Sequence, residues 1–193
     1  MAGVGKTPTK RVQVLDREGM KRTVARMAAE ILERDGSQIM LVGIHTRGVP
    51  LANRLASVLA NASPSHGEIP VGRIDISLYR DDVGPWRPAH NQPLLKDTML
   101  PDSVDGEIVY LVDDVLFTGR TLRAALDTLM DYGRPRAVRL AVFVDRGHRE
   151  LPVAPDVVGK VLPTSLNEDV QVHFEEVDGE DGVWIGKEIE HGG

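Results

Sequence analysis

Two adjacent carboxylates stand shortly before a threonine-rich turn in residues 109–122, VYLVDDVLFTGRTL. Thr118 and Thr121 flank the predicted start of a helix, where free backbone N–H groups and the helix dipole attract an anion. Gly119 lets the backbone approach that anion closely, because it has no Cβ atom. The turn therefore predicts a phosphate site.

Asp113 and Asp114 precede Thr118 by only a few residues and would repel a bare phosphate. They are useful if they accept hydrogen bonds from hydroxyl groups or lie near a metal-bearing part of the same ligand. A ligand with a phosphate, vicinal hydroxyls and a metal-complexed diphosphate meets both demands, as 5-phosphoribosyl-1-pyrophosphate (PRPP) does. The alternative is a pair of surface aspartates with no ligand.

Other phosphate-binding motifs do not match. Gly43 and Gly48 have the spacing of a P-loop, but Val49 and Pro50 stand where that loop requires Lys and Ser or Thr. No Gly-x-Gly-x-x-Gly follows a strand, so a dinucleotide-binding fold lacks its fingerprint. A receiver domain also places acids at strand ends, but it has no use for the threonine turn.

Strands and helices alternate along the chain, which predicts an α/β fold with a parallel sheet. Ligands of such sheets bind at the carboxyl ends of the strands, where residues 45–48, 113–121 and 145–148 are expected. Asp16 is the predicted N-cap of the first helix. The predicted strands are 11–15, 38–44, 72–79, 108–112, 137–145, 156–162, 169–177 and 182–189, and the predicted helices are 17–35, 49–61 and 120–132.

The composition is that of one globular domain, with 193 residues of which 41% are hydrophobic. The chain has no cysteine, which excludes disulfides and thiolate chemistry. No apolar run could span a bilayer and no signal peptide is evident, so we expect a cytoplasmic protein. We expect a flexible arm over residues 1–10, a single domain over 11–193, and a long flexible loop over 80–107.

Charge is unevenly distributed within a net charge of −6. Residues 1–54 carry 10 Lys or Arg against 5 Asp or Glu, whereas residues 55–193 carry 13 against 24. Five arginines between residues 134 and 149 add a second basic cluster. A basic patch for a polyanion is therefore compatible with an acidic protein, and scattered solvated charges are the alternative.

The motif VYLVDDVLFTGRT resembles the PRPP-binding motif of the type I phosphoribosyltransferases. The segments GIHTRGVPLANRLA, DISLYRDD, AVFVDRGHRELP and GKVLPTS narrow the resemblance to the uracil phosphoribosyltransferases that regulate pyrimidine operons, and it spans residues 14–189. It implies the type I fold, a mainly parallel sheet flanked by helices with a mobile hood loop and a β-rich C-terminal part. The implied reaction converts uracil and PRPP to UMP and diphosphate, with Mg²⁺ bound together with PRPP.

The resemblance also assigns residues to roles. The catalytic residues would be Asp113, Asp114 and Arg47. The PRPP motif would comprise Val109, Tyr110, Leu111, Val112, Asp113, Asp114, Val115, Leu116, Phe117, Thr118, Gly119, Arg120 and Thr121. The diphosphate would be bound by His45, Thr46, Arg47, Gly48 and Arg80, with a non-proline cis peptide near Thr46–Arg47. The base would be bound by Val144, Asp145, Arg146 and Gly147.

The same subfamily binds leader RNA of pyrimidine genes when UMP is present, so we expect an RNA partner and a homodimer or higher homo-oligomer. The RNA contacts would come from Arg22, Arg26, Arg146, Arg149 and Lys160. Ala25 and Ala29 stand where polar RNA-contacting side chains are expected in this subfamily. Two alternatives stay open: an enzyme without RNA binding, acting on uracil or another base, and a nucleotide-sensing RNA binder with vestigial catalysis.

Overall fold

A parallel five-stranded sheet and a smaller antiparallel sheet form the body of the computed structural model, which describes residues 11–64, 67–76, 98–101 and 103–187. The strands are β1 Arg11–Leu15, β2 Met40–Ile44, β3 Val71–Ile74, β4 Ile108–Leu116, β5 Ala137–Asp145, β6 Val157–Val161, β7 Glu168–His173 and β8 Gly182–Lys187. The helices are α1 Arg17–Asp35, α2 Gly48–Ala62, α3 Arg120–Met130 and α4 Glu175–Asp178. The larger sheet has the order β3-β2-β4-β5-β6, and the smaller has the order β1-β8-β7.

Helix α1 begins and ends where the sequence predicts. The Asp16 carboxylate accepts a hydrogen bond from the Gly19 N–H at 2.7 Å, and Gly36 ends the helix with φ +74°. The apolar residues at helical spacing, Met20 and Met27 among them, are fully buried against the sheet. Capping and periodicity are local signals, so the sequence predicts this helix well.

Strand β4 lies at the centre of the larger sheet, between β2 and β5. Its apolar residues alternate between two cores, because successive side chains of a strand point to opposite faces. Tyr110 packs in the core with α1 and α2, whereas Leu111 packs in the core with α3. Both faces of β4 are therefore covered, as a parallel sheet requires.

Several predicted boundaries are wrong, among them the strand 72–79, which ends at Ile74. Strand β4 runs to Leu116 rather than to residue 112, because its parallel pairing with β5 continues through Asp113 to Leu116. Both aspartates are thus held by the sheet rather than by a loop. The predicted strand 169–177 ends at His173 and is followed by α4. Part of the predicted loop 80–107 is paired, since Met99 bridges antiparallel to Arg73.

Some predictions fall outside the described residues: the arm 1–10, most of the loop 80–107 and Arg80. The division into an arm and a single domain stays a prediction. Within the described ranges, every helix is either too short or too polar to serve as a membrane span.

Candidate functional site

A cavity of about 630 Å³ opens at the carboxyl ends of β2 and β4. The segment after β2, the end of β4 with its following turn, and strand β7 supply most of its wall. The cavity brings together many of the sequence-predicted site residues. These are His45, Thr46, Arg47, Asp113, Asp114, Val115, Leu116, Phe117, Thr118, Gly119, Thr121 and Arg146.

Asp113 and Asp114 form an acidic wall of the cavity at the end of β4. Asp113 is only 8% exposed, and its Oδ1 accepts a hydrogen bond from the Asp114 N–H at 2.9 Å. Burial raises the pKa of the Asp114 carboxyl, and the charge of Arg47 offsets part of that rise. Carboxylates in this setting favour ligand groups that donate hydrogen bonds, such as hydroxyls.

The turn between β4 and α3 has the form that an anion site requires. Gly119 has φ +93°, and a Cβ atom there would come within 2.7 Å of Val153 Cγ2, so only glycine fits. The Thr118 carbonyl accepts hydrogen bonds from the N–H groups of Glu150 and Leu151, at 3.0 and 3.2 Å. The turn is therefore held from behind while Thr118, Gly119 and Thr121 line the cavity at the N-terminus of α3.

The loop after β2 forms the opposite part of the wall. Its backbone is tied to β3 by the hydrogen bond from the His45 N–H to the Ile74 carbonyl, at 2.9 Å. The peptide bond between His45 and Thr46 is cis, one bond before the predicted position. Within the described part of the chain, the buried Nε2 of His45 has no hydrogen-bond partner. The loop therefore presents an unsatisfied polar atom beside the cavity.

Arg47 lines the cavity and forms a two-point ion pair with Asp178. The hydrogen bonds to Asp178 raise the pKa of Arg47, and the negative charge of Asp114 acts in the same direction. The same pairing lowers the pKa of the Asp178 carboxyl. The guanidinium is thus a permanent positive charge between two acidic groups, at a position where it can meet a ligand phosphate.

Several predicted residues do not line the cavity. Val109 through Val112 are fully buried in the two cores, because the apolar part of β4 is covered on both faces. Arg120 points outward and pairs with Glu150 at 2.8 Å. Gly48 packs against the Val112 carbonyl, where a Cβ atom would not fit, so its role is to let α2 start beside β4.

Most of the predicted base-binding residues do not line the cavity. Val144 is fully buried in the core, and Asp145 folds back to accept a hydrogen bond from the Gly147 N–H at 2.9 Å. Only Arg146 of the predicted residues lines the cavity. Its guanidinium carbon lies 4.1 Å from the centre of the Phe117 ring, and its Nε donates to Thr164 Oγ1 at 3.2 Å. The end of β5 therefore contacts the turn between β4 and α3 through Arg146.

The predicted RNA residues do not share one surface. Arg146 is only 7% exposed, and Arg149 donates to the Phe117 carbonyl and pairs with Asp145, so both serve the loops around the cavity. Arg22 and Arg26 are exposed on α1. Lys160 points away from them, because its neighbour Gly159 faces α1 and side chains alternate along β6.

Sequence reasoning missed the wall that the smaller sheet supplies. Arg11 of β1 and Ile76 line the cavity, and so do residues 169–173 of β7. Gln171 Nε2 donates to Asp169 Oδ2 at 2.8 Å, so two polar side chains of this wall are already paired. The alternation of polar and apolar residues in DVQVH is a usable signal, since it predicts a strand with one polar face.

Comparisons with known proteins identify the family of this chain. The phosphoribosyl transferase domain family matches residues 11–175. The bifunctional protein PyrR of Pelotomaculum thermopropionicum is 51% identical over 177 residues, covering 91% of this chain and 95% of the relative. The bifunctional protein PyrR of Thermus aquaticus is 51% identical over 175 residues, covering 90% and 94%.

The fold is shared more widely. The hypoxanthine phosphoribosyltransferase of Trypanosoma cruzi superposes with a TM-score of 0.66 at 16% identity, covering 92% of this chain and 97% of that one. A hypoxanthine phosphoribosyltransferase of Staphylococcus aureus gives a TM-score of 0.63 at 18% identity, covering 93% of each chain. From its family match and its relatives, the chain belongs to the phosphoribosyltransferase family and, within it, to the bifunctional PyrR proteins.

Proposed function

We propose that this protein transfers the phosphoribosyl group of PRPP to uracil, giving UMP and diphosphate, and that it also regulates pyrimidine genes by binding their leader RNA when UMP is bound. One observation carries the enzymatic part. The acidic pair Asp113 and Asp114 shares a single cavity with the anion-binding turn of Thr118 to Thr121 and with Arg47. These three features match the hydroxyls, the phosphate and the diphosphate of PRPP.

Each part of the substrate meets a different part of the wall. The carboxylates of Asp113 and Asp114 accept hydrogen bonds from the ribose hydroxyls. The N-terminus of α3 and the hydroxyls of Thr118 and Thr121 hold the 5′-phosphate. The loop after β2, with Arg47, binds the diphosphate. This division removes the repulsion between the carboxylates and the phosphate, because they contact different ends of one molecule.

The reaction breaks the bond between the ribose C1′ and the diphosphate oxygen, and uracil N1 forms the new bond to C1′ and loses its proton. We infer a transition state in which positive charge develops on the ribose ring. The protein contributes chiefly by holding the reactants in place and by stabilising the charge of the departing diphosphate through Arg47. The catalytic groups require no covalent intermediate.

The donor set fits Mg²⁺ shared with the substrate rather than a separate protein-bound metal. Among the described residues, no group of three or more His, Cys, Asp and Glu side chains is placed to hold a metal ion. Mg²⁺ keeps several waters and is often bound by one or two carboxylates together with substrate phosphates, which Asp113 and Asp114 can provide. When bound, Mg²⁺ neutralises charge on the diphosphate.

The base binds between the PRPP turn and the wall formed by β7. Phe117, Arg146 and the paired side chains of Asp169 and Gln171 all line this space. A carboxylate can accept a hydrogen bond from the uracil N3–H, and an amide can both donate and accept. Diphosphate release with uracil, hypoxanthine or orotate as the acceptor tests this base preference, and we expect release with uracil alone. Turnover of hypoxanthine in place of uracil would refute it.

The regulatory part rests on a basic surface of α1. Arg22 and Arg26 are exposed there, and so are the small apolar side chains of Ala25 and Ala29 on the same helix. Arginine attracts RNA phosphates, and such binding weakens with salt. We infer that a homodimer joins two of these surfaces into one RNA-binding face.

A gel-shift titration with pyrimidine leader RNA tests the regulatory part, at stated salt and with or without UMP. The expected result is a UMP-dependent shift that Arg22→Ala weakens, while Arg123→Ala on the exposed face of α3 leaves it unchanged. If the RNA mobility does not change although uracil is turned over, the protein is an enzyme without RNA binding. If RNA binds but uracil is not turned over, the protein is a nucleotide-sensing regulator.

A further inference from the structure

Asp178 holds Arg47 from a distant part of the chain. Arg47 Nε donates to Asp178 Oδ2 at 3.0 Å and Arg47 Nη2 donates to Oδ1 at 2.7 Å, although 131 residues separate the two. The Asp178 side chain is 13% exposed, and its Oδ2 also accepts a hydrogen bond from the Phe174 N–H at 3.0 Å. The carboxylate is therefore fixed on both sides and can fix the arginine in turn.

Only one edge of the Arg47 guanidinium is used by this pairing. A guanidinium has five N–H donors in a rigid planar fork, and Asp178 takes one from Nε and one from Nη2. In the described part of the chain, no hydrogen bond engages Nη1 of Arg47. Because Arg47 lines the cavity, its remaining donors are available to a ligand there.

The segment that carries Asp178 is itself anchored. Helix α4 has only four residues, so it needs contacts with the rest of the fold to keep its place. Arg54 of α2 supplies them: its Nε and Nη2 bind the Glu176 carboxylate at 2.8 and 2.6 Å, and Nη2 also binds Asp181 at 2.6 Å. Arg54 also lies over the Phe174 ring, at 5.0 Å from its centre.

We propose that Asp178 is a positioning residue for the diphosphate: it orients Arg47 so that the free edge of the guanidinium meets the departing group of PRPP. The inference rests on the proposed function, in which Arg47 binds the diphosphate. A mobile arginine side chain has many rotamers, and the conformational entropy lost when a ligand orders it weakens binding. Asp178 reduces this entropy cost because it orders Arg47 before PRPP binds.

Isothermal titration calorimetry with PRPP and Mg²⁺ tests the effect on affinity. Asp178→Asn keeps a side chain of the same shape and an acceptor for the Phe174 N–H, but it loses the charged two-point pair. We expect its Kd for PRPP to rise roughly tenfold, as for the loss of a charge-assisted hydrogen bond. The KM for uracil should stay unchanged, which distinguishes positioning of Arg47 from a general loss of structure.

Glu176→Gln is the matched control, because it weakens the other arginine–carboxylate pair of α4, outside the cavity, while the bond from Arg54 to Asp181 still holds the segment in place. Its Kd for PRPP should stay within about threefold of the wild type, as expected for a partly exposed pair. If Asp178→Asn lowers the thermal midpoint by more than Glu176→Gln does, the Kd for PRPP is measured again with Asp178→Ser. A serine hydroxyl can also accept a hydrogen bond from the Phe174 N–H.

A double-mutant cycle with Arg47→Ala decides between direct and indirect action. If Asp178 acts through Arg47, Arg47→Ala with Asp178→Asn binds PRPP no more weakly than Arg47→Ala alone. Additive losses would overturn the positioning role. A tighter Kd for Asp178→Asn would also overturn it, because Asp178 would then compete with the diphosphate for Arg47.

If Arg47→Ala alone leaves the Kd unchanged, the proposed role of Arg47 fails and the inference fails with it. If Arg47→Ala weakens binding and Asp178→Asn does not, the inference alone fails.

Discussion

The guanidinium carbon of Arg146 lies 4.1 Å from the centre of the Phe117 ring, so the end of β5 directly contacts the turn between β4 and α3. The same guanidinium donates to Thr164 Oγ1 and to the carbonyls of Ser165 and Glu168. Burial lowers the pKa of Arg146, yet the carboxylates nearby act in the opposite direction. This arginine therefore joins the turn that would hold the 5′-phosphate to the segment that leads into β7.

Removing the Arg146 side chain should destabilise the fold. Arg146→Ala removes a largely buried guanidinium that donates to Thr164 and to the carbonyls of Ser165 and Glu168, and we expect the free energy of unfolding to fall by about 2–4 kcal/mol. Urea denaturation followed by circular dichroism measures it. Arg123→Ala is the control, because the Arg123–Asp127 pair is exposed and should change the free energy by less than about 1 kcal/mol. Equal losses for both variants would contradict a structural role for Arg146.

Neutralising the acidic pair should lower the rate of UMP formation. Asp113→Asn and Asp114→Asn keep the size of each side chain but remove the carboxylate that, in the proposed function, accepts hydrogen bonds from the ribose hydroxyls. We expect kcat/KM for PRPP to fall roughly 10- to 100-fold for each variant, the range for a hydrogen bond to a charged group. Steady-state assays at saturating uracil measure this ratio, with the exposed Asp127→Asn as control. Wild-type activity in both variants would remove the pair from the proposed site.

Adding a methyl group at Gly119 should damage the phosphate turn in particular. Both Gly119 and Gly106 have a positive φ, so alanine strains the backbone at either position. At Gly119 the added Cβ atom would also lie 2.7 Å from Val153 Cγ2, whereas at Gly106, with φ +77°, no atom lies within 4 Å of it. Backbone strain alone is expected to cost about 1–2 kcal/mol at either position. Gly119→Ala should cost more and should also raise the KM for PRPP, which Gly106→Ala should not. An unaltered KM for Gly119→Ala would place the phosphate elsewhere.

Acid should weaken the attachment of α4 to the rest of the fold. Hydrogen bonds from Arg54 lower the pKa of Glu176, and those from Arg47 lower the pKa of Asp178. In the unfolded chain these carboxyl groups have the ordinary pKa of about 4, so at acid pH the unfolded chain binds more protons than the folded chain. The free energy of unfolding therefore rises with pH in this range, and this contribution is lost as the pH falls through the folded pKa values.

Urea denaturation from pH 6 downward, at roughly half-unit steps through the carboxyl range, measures this acid dependence. Glu176→Gln removes one of the carboxyl groups whose pKa is lowered in the fold, so its free energy of unfolding should fall less steeply with acid than that of the wild type. Identical slopes for the variant and the wild type would contradict the assignment of this pH dependence to the arginine–carboxylate pairs.

Local signals in the sequence determined much of the fold. Asp16 and Gly36 bound α1 because capping depends on residues within one turn, and the apolar run before Asp113 predicts a buried strand because its pattern is continuous. The turn between β4 and α3 is also contained within a few consecutive residues, so the sequence places Thr118, Gly119 and Thr121 together before any folding. The extent of β4 was missed because pairing with β5, rather than its own composition, extends the strand through the aspartates.

Tertiary structure alone decided which charged residues serve the site. An arginine looks the same in the sequence whether it is exposed or buried, yet Arg146 became a buried support while Arg22 stayed at the surface. Arg47 meets Asp178 across 131 residues, a contact that no local pattern encodes. Such partners are set by how whole sheets and helices pack, since packing brings together elements that are distant in the chain. For this protein, the sequence determined the elements and the phosphate turn, and packing determined the partners that hold the turn and Arg47 in place.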